Sequence, residues 1–424
     1  MQSSWISQVA KMTLLVTSVA MLSSCASQAE PADSAAPRHV RVIWHSDPAT
    51  SAIVSWTTTE PGSKHLVKLR AEGQEDWTTV ECQRNEQFGG ELKGQPVPYA
   101  HHTTLTDLQP ATRYAVVCES DGTPSREYYF FTAPDDDRPV SILFGGDSRS
   151  GIEQRKNINR MMARMVAEQQ AAGRPPIIAL AHGGDYIVNG TVLELWLAWL
   201  DNHELTTGDD GQLLPIIPAR GNHDMGPIFN QVFAFPDRDE NYYAVSLSGE
   251  VRLATLNTET STAGDQRDWL AKELADERWN HRWYVAQYHK PAFPAVKVPS
   301  GALTNWVPLF EQYQINLACE ADGHAIKRTP PVKGVKVDPE GVVYIGEGGL
   351  GVGQRTPKTN RWYLQDTAEH CGSAHHVHLL TFRKEGLDGK VIKLDGEVFD
   401  EFTIEPRTAP QVSVDTPDDR TASN

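Results

Sequence analysis

Five short motifs that are rich in Asp, Asn and His lie between residues 145 and 324. They are Gly145-Gly146-Asp147-Ser148-Arg149, Gly183-Gly184-Asp185, Gly221-Asn222-His223-Asp224, Tyr288-His289-Lys290-Pro291 and Asp322-Gly323-His324. Carboxylate, amide and imidazole groups are ligands that suit Fe, Mn or Zn. One Gly-Asp pair alone is usually a turn, and one His alone is usually hydrogen-bonded. The ordered set therefore carries the prediction of a metal site.

Each motif begins where an apolar run ends, so we expect each in a loop at the carboxyl end of a strand. Ligands gather at that edge of α/β sheets, and Gly allows the sharp turn that brings a short carboxylate to a shared point. Alternation of apolar strands with helical stretches predicts α/β layers. The predicted strands are 142–144, 177–180, 251–256, 283–288, 315–319 and a final β segment 376–398, and the predicted helices are 152–172, 193–200, 266–275 and 306–313.

The preceding part of the chain has the pattern of an all-β domain. Val40 and Val42 alternate with the polar residues His39 and Arg41 ahead of Trp44, and apolar runs at 52–56 and 114–118 are separated by turn-rich stretches without a helical period. Short strands over about 95 residues suit a β-sandwich. The predicted organisation is a sandwich at 38–134, a polar hinge at 135–139, an α/β domain at 140–405 and a disordered tail at 406–424.

The ordered motifs resemble those of the calcineurin-like metallophosphoesterase superfamily. With the preceding sandwich, the chain looks most like purple acid phosphatases and their bacterial relatives. The sandwich itself resembles fibronectin type III modules through the Trp-bearing stretch 55–58 and the Leu-Pro-Tyr stretch 102–114. The resemblance implies a fibronectin type III-like sandwich, followed by an α/β metallophosphoesterase domain with a central β-sandwich flanked by helices.

The same resemblance implies a role for each motif residue. It assigns metal-ligand roles to Asp147 and His324 on the first metal, Asp185 between both metals, Asn222 and His289 on the second metal, and Asp322 as a further ligand. His223 follows the ligand Asn and is expected beside the leaving oxygen, to protonate it or stabilise its charge. Two Fe, Mn or Zn ions would hold a hydroxide between them for in-line attack on phosphorus.

Three positions depart from the family pattern. Asp322 stands where the family has the first His of a Gly-His-x-His motif, so it is expected either to bind the second metal or only to orient His324. Val188 stands where purple acid phosphatases have the Tyr that gives their colour, and Tyr186 should point elsewhere, so we expect a protein that is not purple. Arg149 replaces a His found in many superfamily members and is expected either to clamp the phosphate or to form a structural salt bridge.

The N-terminus is expected to be a processing segment. Lys11 precedes an apolar run at 12–22, which has the length of a signal-peptide core and is too short for a stable membrane anchor. Leu22-Ser23-Ser24-Cys25 resembles a bacterial lipobox, and a plain secretory signal is the alternative. We predict a lipoprotein signal peptide at 1–24, a lipidated Cys25 with a flexible tether at 25–37, and, from Ala26, an outer-membrane anchor.

Charge and cysteine content set further bounds. The formal net charge of −16 disfavours non-specific binding to nucleic acid. Besides Cys25 the chain has four cysteines, for which two alternatives stay open: disulfides Cys82–Cys118 and Cys319–Cys371, or buried free thiols. The remaining histidines of the α/β region are expected to be exposed or hydrogen-bonded, and they include His182, His370, His375, His376 and His378.

The sequence therefore favours a metal-dependent phosphoric ester hydrolase that acts on a small phosphorylated substrate. An acid phosphatase-like phosphomonoesterase is the first hypothesis, and a phosphodiesterase with the same site is the second. A non-catalytic surface lipoprotein is an alternative of another class, but the retained motif residues argue against it. Bound metal would separate the enzyme from the binding protein.

Overall fold

The computed structural model describes residues 36–236 and 240–409, and these form one compact unit. The predicted signal peptide, Cys25, tether residues 26–35 and tail residues 410–424 lie outside the described residues. Inside the predicted tail, Arg407 Nη1 donates a hydrogen bond to Glu340 O at 2.6 Å. Among the residues described, no helix has the length and apolar character needed to cross a membrane.

The N-terminal part is a β-sandwich. Its strands are β1 Arg38–Ile43, β2 Ala52–Thr58, β3 His65–Ala71, β4 Thr78–Glu81, β5 Arg84–Gln87, β6 Tyr99–Leu105, β7 Arg113–Ser120, β8 Thr123–Pro124 and β9 Tyr128–Phe131. Strands β1, β2, β6 and β5 lie side by side in one layer, and β4, β3, β7 and β8 in the other, with β9 also paired to β7. Trp56, Val67 and Val116 are fully buried in one core cluster. The predicted all-β sandwich is confirmed, whereas its likeness to fibronectin type III modules stays a prediction.

The second part alternates strands with helices. Its strands are β10 Val140–Gly145, β11 Ile177–His182, β12 Ile216–Pro218, β13 Tyr243–Ser248, β14 Val251–Thr255, β15 Trp283–Tyr288, β16 Leu317–Glu320, β17 Lys327–Arg328, β18 Val332–Lys333, β19 Lys336–Val337, β20 Val343–Gly346, β21 His376–Phe382, β22 Leu387–Lys393 and β23 Val398–Ile404. Its helices are α1 Ile152–Ala171, α2 Leu193–His203, α3 Ile228–Val232, α4 Asp265–Glu277, α5 Ala302–Asn305 and α6 Val307–Gln312. Each strand and helix predicted from the sequence in this part has a counterpart among these elements.

Two sheets pack face to face in this second part. One contains β21, β10, β11 and β12, and the other has the order β13-β14-β15-β16-β20-β17. Phe144, Ile217 and Val285 share the buried layer between them. Helix α1 buries Ile158, Met162 and Val166 on one face, at the spacing of an amphipathic helix, against the outer side of the first sheet. The predicted α/β domain with a central β-sandwich and flanking helices is confirmed.

One sheet continues through both parts of the chain. Its ten strands follow the order β23-β22-β21-β10-β11-β12-β1-β2-β6-β5. Strand β1 of the N-terminal sandwich pairs in parallel with β12, and Trp44 N donates a hydrogen bond to Ile216 O at 2.9 Å. The polar hinge predicted at 135–139 rests on local composition, which carries no information on this long-range pairing. The domain boundary stays a prediction.

The four described cysteines are free thiols, so the predicted pairs Cys82–Cys118 and Cys319–Cys371 are not formed. Cys118 and Cys319 are buried, and burial raises the pKa of both thiols. Of the two alternatives left open by the sequence, the structure has the free thiols.

Candidate metal centre

The loops that follow five strands converge on one point. Asp147 follows β10, Asp185 follows β11 and Asn222 follows β12, all from the ten-stranded sheet. His289 follows β15, and both Asp322 and His324 follow β16, in the six-stranded sheet. The predicted position at the carboxyl ends of the strands is therefore observed, and both sheets contribute side chains.

The turn at the end of these strands needs an unusual backbone. Asp147, Asp185, Asp322 and His324 have φ values of 60°, 59°, 67° and 62°. This left-handed conformation costs an L-residue about 1–2 kcal/mol, and Asp tolerates it better than most. Four such residues around one point indicate that the fold keeps an unfavourable backbone conformation there because it orients these side chains toward a common centre.

Four acidic and imidazole side chains form a buried cluster. Ligand atoms of Asp147, Asp185, His289 and Asp322 all lie within 4.8 Å of one another. His289 Nε2 is 3.2 Å from Asp185 Oδ1 and 3.5 Å from Asp322 Oδ1. Asn222 Oδ1 lies 3.2 Å from the same nitrogen. This set of oxygen and nitrogen donors suits a divalent or trivalent cation.

Asp147 and His324 face each other at a second point of the cluster. Asp147 Oδ1 and His324 Nε2 are 3.2 Å apart, yet both are buried and neither makes a hydrogen bond. Buried polar atoms are normally satisfied, so these two lack a partner that a metal ion would supply. The residues therefore fit a bound metal, and the six predicted ligands Asp147, Asp185, Asn222, His289, Asp322 and His324 are all brought together.

Backbone groups hold the ligands in position. Asp322 N donates to Asp147 Oδ2 at 2.8 Å, and His223 N donates to Asp185 Oδ1 at 2.9 Å. His289 Nδ1 lies 2.8 Å from the carbonyl oxygen of Gly183 and must donate to it, which leaves Nε2 free as a ligand. Hydrogen bonds of this kind fix the orientation of a ligand before the metal binds.

Electrostatics at the cluster favour a cation. Burial alone would raise the pKa of Asp185, but the neighbouring His289 outweighs it and lowers the pKa to about 2. Burial would lower the pKa of His289, but Asp185 and the other carboxylates raise it well above its usual value. The same negative potential that holds a proton on this imidazole attracts a metal ion.

Comparison with known proteins places the fold. Residues 37–133 match the family described as Purple acid Phosphatase, N-terminal domain. Purple acid phosphatase PPD1 from yellow lupin seeds superposes with a TM-score of 0.69 at 16% identity, covering 87% of this chain and 74% of that one. The chain has the purple acid phosphatase fold. PhoD superposes with a TM-score of 0.62 at 10% identity, covering 91% of this chain and 95% of its own.

Curated relatives agree with this fold. An uncharacterized protein of Mycobacterium tuberculosis is 25% identical over 328 residues, which are 68% of this chain and 61% of the relative. Acid phosphatase type 7 of Danio rerio is 24% identical, over 63% of this chain and 69% of the relative. Purple acid phosphatase 23 of Arabidopsis thaliana is 25% identical, over 59% and 62%. The chain spans about three fifths of the length of the mycobacterial relative, and the resemblance stated from the motifs is confirmed.

His223 is the predicted acid at this purple acid phosphatase-like centre. Its Nδ1 lies 2.6 Å from Val188 O and donates to it, and its Nε2 lies 4.0 Å from Asp185 Oδ2. The side chain is 32% exposed, so Nε2 is beside the metal cluster and within reach of a ligand from solvent. The carbonyl contact fixes the ring and leaves Nε2 as the nitrogen that faces Asp185.

Asp224 supports the cluster in a way that the motif alone did not reveal. It is fully buried, and its carboxylate accepts hydrogen bonds from the backbone N–H groups of Asp185, Tyr186 and Gly221 at 2.8–2.9 Å. Burial, with the nearby Asp185, raises its pKa to about 8. The sequence signal was its place at the end of Gly-Asn-His-Asp. Its structural role is to join the loops that carry Asp185 and Asn222.

Two basic side chains reach the cluster. Arg149 Nε lies 3.2 Å from Asp185 Oδ2, so the structural salt bridge, one of its two predicted roles, is present. Lys297 Nζ forms an ion pair with Asp322 Oδ1. No sequence pattern pointed to Lys297, because it lies outside the strands, eight positions after His289, in a segment without metal-ligand spacing.

Other residues singled out from the sequence lie away from the cluster or are already paired. Tyr186 is buried and stacked on His182 at 3.9 Å, so it points away from the metal cluster, as expected. Val188 is 44% exposed. Lys290 is bound to Glu259 at 2.6 Å. His370 is paired with Asp400, and His375 is half-buried. His376 and His378 are fully buried, and His376 Nδ1 is hydrogen-bonded to Ala374 O at 2.8 Å, which is one of the two expected states.

Proposed function

We propose that this chain is a metal-dependent phosphoric ester hydrolase, most similar to an acid phosphatase and acting on a small phosphomonoester. The observation that carries the proposal is the buried set of Asp147, Asp185, His289 and Asp322, with ligand atoms within 4.8 Å of one another. The purple acid phosphatase fold and the curated relatives named acid phosphatase support it.

Each side chain has a defined task in the proposed reaction. The six predicted ligands would hold two metal ions, which when bound would supply Lewis acidity toward the phosphate oxygens and lower the pKa of a water molecule. Asp185 lies 3.2 Å from His289 Nε2 and within 4.8 Å of a ligand atom of Asp147, so its carboxylate would contact both ligand groups. His223, protonated on Nε2, donates that proton to the leaving oxygen, which contributes roughly 10²- to 10⁴-fold in rate.

The proposed activity is tested with the metal-stripped protein, residues 26–424. Fe, Mn, Zn or Mg is added back, and turnover of a chromogenic phosphate monoester and of a diester is measured. Asp185→Asn should abolish turnover because it removes a buried anionic ligand. Asp400→Asn is the matched control, since Asp400 is also a buried, ion-paired aspartate but lies on β23 and pairs with Arg328.

Two results would contradict the proposal. Turnover of both esters no greater than that of Asp185→Asn, in a protein that binds metal, would exclude a general phosphatase. Absence of both turnover and bound metal would favour the non-catalytic lipoprotein. The ratio of monoester to diester turnover decides between the phosphomonoesterase and the phosphodiesterase.

We also propose that the chain is exported and lipid-anchored through Cys25. The apolar run at 12–22 and the lipobox-like stretch at 22–25 support this proposal. Expression in a diderm bacterium with a radiolabelled fatty acid should label the wild type in the membrane fraction. Cys25→Ser should lose the label and become soluble in the periplasm. A wild-type protein that is exported but unlabelled would favour a plain secretory signal.

A further inference from the structure

Lys297 lies on the solvent side of the ligand cluster. Its Nζ pairs with Asp322 Oδ1, and Asp322 Oδ1 lies 3.5 Å from His289 Nε2. The side chain of Asp322 is 5% exposed, whereas that of Lys297 is 36% exposed. The lysine therefore approaches from the solvent side and covers a ligand that faces the interior.

The segment that carries Lys297 is fixed by a second basic residue. Arg361 Nη1 donates to Pro294 O at 2.5 Å, and Arg361 Nη2 donates to Val296 O at 3.2 Å and to Lys297 O. Tyr363 OH donates to Pro294 O at 2.8 Å. Hydrogen bonds to the carbonyl groups of residues 294, 296 and 297 leave the backbone of this segment little freedom, whereas the four-carbon side chain of the lysine can still change its rotamer.

The charges around Asp322 indicate that the ammonium group of Lys297 would need a different anionic partner once a metal ion is bound. The cluster contains three carboxylates, of which Asp185 is paired with Arg149 and Asp322 with Lys297. A metal ion bound at Asp322 would neutralise that carboxylate and repel the ammonium, which would then need another anion. A phosphate group in the mouth of the site is the anion that the proposed function supplies.

We propose that Lys297 is a specificity-determining residue that leaves Asp322 on metal binding and contacts a phosphate oxygen of a phosphomonoester dianion. This inference rests on the proposed function and deepens it, because it names the charge state of the substrate. A monoester carries close to two negative charges at neutral pH and a diester carries one, so an additional cation favours the monoester. Lysine supplies a compact point charge that can follow such an oxygen.

The first test measures the binding of inorganic phosphate to the metal-loaded protein by titration calorimetry. Lys297→Met should weaken phosphate binding about tenfold to a hundredfold, the usual effect of losing one charged hydrogen bond. Lys333→Met is the matched control, because Lys333 has a 37% exposed side chain and is also paired with a carboxylate, Glu340, at 3.1 Å. Metal content per chain should be unchanged in both variants.

The second test compares substrates. Lys297→Met should lower kcat/KM for a phosphate monoester at least about tenfold more than for a diester with the same leaving group. Lys297→Arg, which keeps the charge, should restore most of the phosphate affinity. Unchanged phosphate affinity in Lys297→Met, or an equal loss for both esters, would overturn the inference. A loss of bound metal that accounts for the weaker phosphate binding would do so as well, since Lys297 would then only support Asp322.

The two proposals can fail separately. A wild-type protein that binds phosphate through Lys297 but turns over neither ester would contradict the proposed function and support the assignment of this lysine. Turnover that depends on Asp185 but is indifferent to Lys297 would do the opposite.

Discussion

Each carboxylate of the cluster meets positive charge in a different way. Asp185 has Arg149, and Asp322 has Lys297. Asp147 has no Lys or Arg partner among the described residues, and its Oδ1 faces His324 Nε2 without a hydrogen bond. The first metal position, around Asp147, is therefore the one at which a cation would gain most from binding.

His223 provides a prediction at the scale of a single proton. His223→Gln should lower kcat about 10²- to 10⁴-fold, because the leaving oxygen would depart without a proton. The loss should be larger for an alkyl phosphate than for a nitrophenyl phosphate, whose leaving group needs no acid. Steady-state kinetics with both esters check this, with His281→Gln as a control, since His281 contacts Ser246 and Glu277 instead.

An equal loss for the two leaving groups would assign His223 a role in phosphate binding. A fall in metal content would make it a support of Asp185. Either result would contradict its role as the acid.

Glu347 provides a prediction about pH and stability. Burial raises its pKa from 4.5 to about 7, although Lys327 opposes the shift. Between these values the folded chain keeps a proton that the unfolded chain has lost, so the free energy of unfolding falls as the pH rises through this window. Glu347→Gln should reduce that fall by roughly 1–3 kcal/mol. Urea unfolding of both proteins at pH 4.5 and pH 7.5, with a chelator present, checks this. The same fall in the free energy of unfolding in wild type and in Glu347→Gln would contradict the raised pKa of Glu347.

At the scale of elements, the glycine-rich loop after β20 sets how closely two loops approach the cluster. A Cβ on Gly348 would lie 1.9 Å from Asp147 Oδ2, and its φ is 85°. A Cβ on Gly323 would lie 1.5 Å from Glu347 Oε2. The backbone of Gly348 in this loop therefore packs directly against the carboxylate of Asp147, where a side chain would not fit.

Gly348→Ala should displace Asp147 and lower metal affinity by at least about tenfold, as expected when the support of a ligand is disturbed. Gly353→Ala is the matched control in the same loop, because a Cβ there meets nothing within 4 Å. Metal titration of the two stripped proteins checks the difference. Equal affinities would show that Asp147 is not constrained by this loop.

The six strand segments and four helices predicted for the α/β part, and the loops with the ligands, could be predicted because each depends on local sequence, whereas short elements such as β12, β13 and β20 were not predicted. Apolar runs such as 283–288 indicate their strand, and Gly-Asp pairs mark the turns that follow. Lys297 and the bonds of Asp224 were not predictable, because they depend on side chains that meet only after the loops converge. The sequence left exposed and hydrogen-bonded states open for His376 and His378 and could not predict their burial, because alternation on β21 does not tell which layers cover the strand.

At the scale of the whole molecule, the N-terminal sandwich and the α/β part share a sheet. Besides the pairing of β1 with β12, the buried Arg41 donates to Val232 O at 3.0 Å and 2.7 Å, and Arg84 donates to Phe235 O at 2.6 Å. The sequence predicted the two parts but not this junction, because the pairing of Ile43 with Ile216 joins residues far apart in the chain.

We expect residues 26–424 to unfold in one calorimetric transition, because neither part can lose the β1–β12 pairing without exposing an edge and buried apolar surface. Arg41→Met should lower the temperature of that transition as a whole. Differential scanning calorimetry checks both results. Two separate transitions, of which Arg41→Met shifts one, would show that the two parts unfold independently.

The predicted metal ligands come from two different sheets, and this affects the lifetime of the protein before it is degraded. Metal ions bound at the cluster would link the two sheets. A ligand that binds only the folded state raises the free energy of unfolding roughly with the logarithm of its concentration. A chain starved of metal would then open more often and be exposed to proteases during each opening. The lifetime of the protein before proteolysis would therefore depend on the concentration of metal ions in its surroundings.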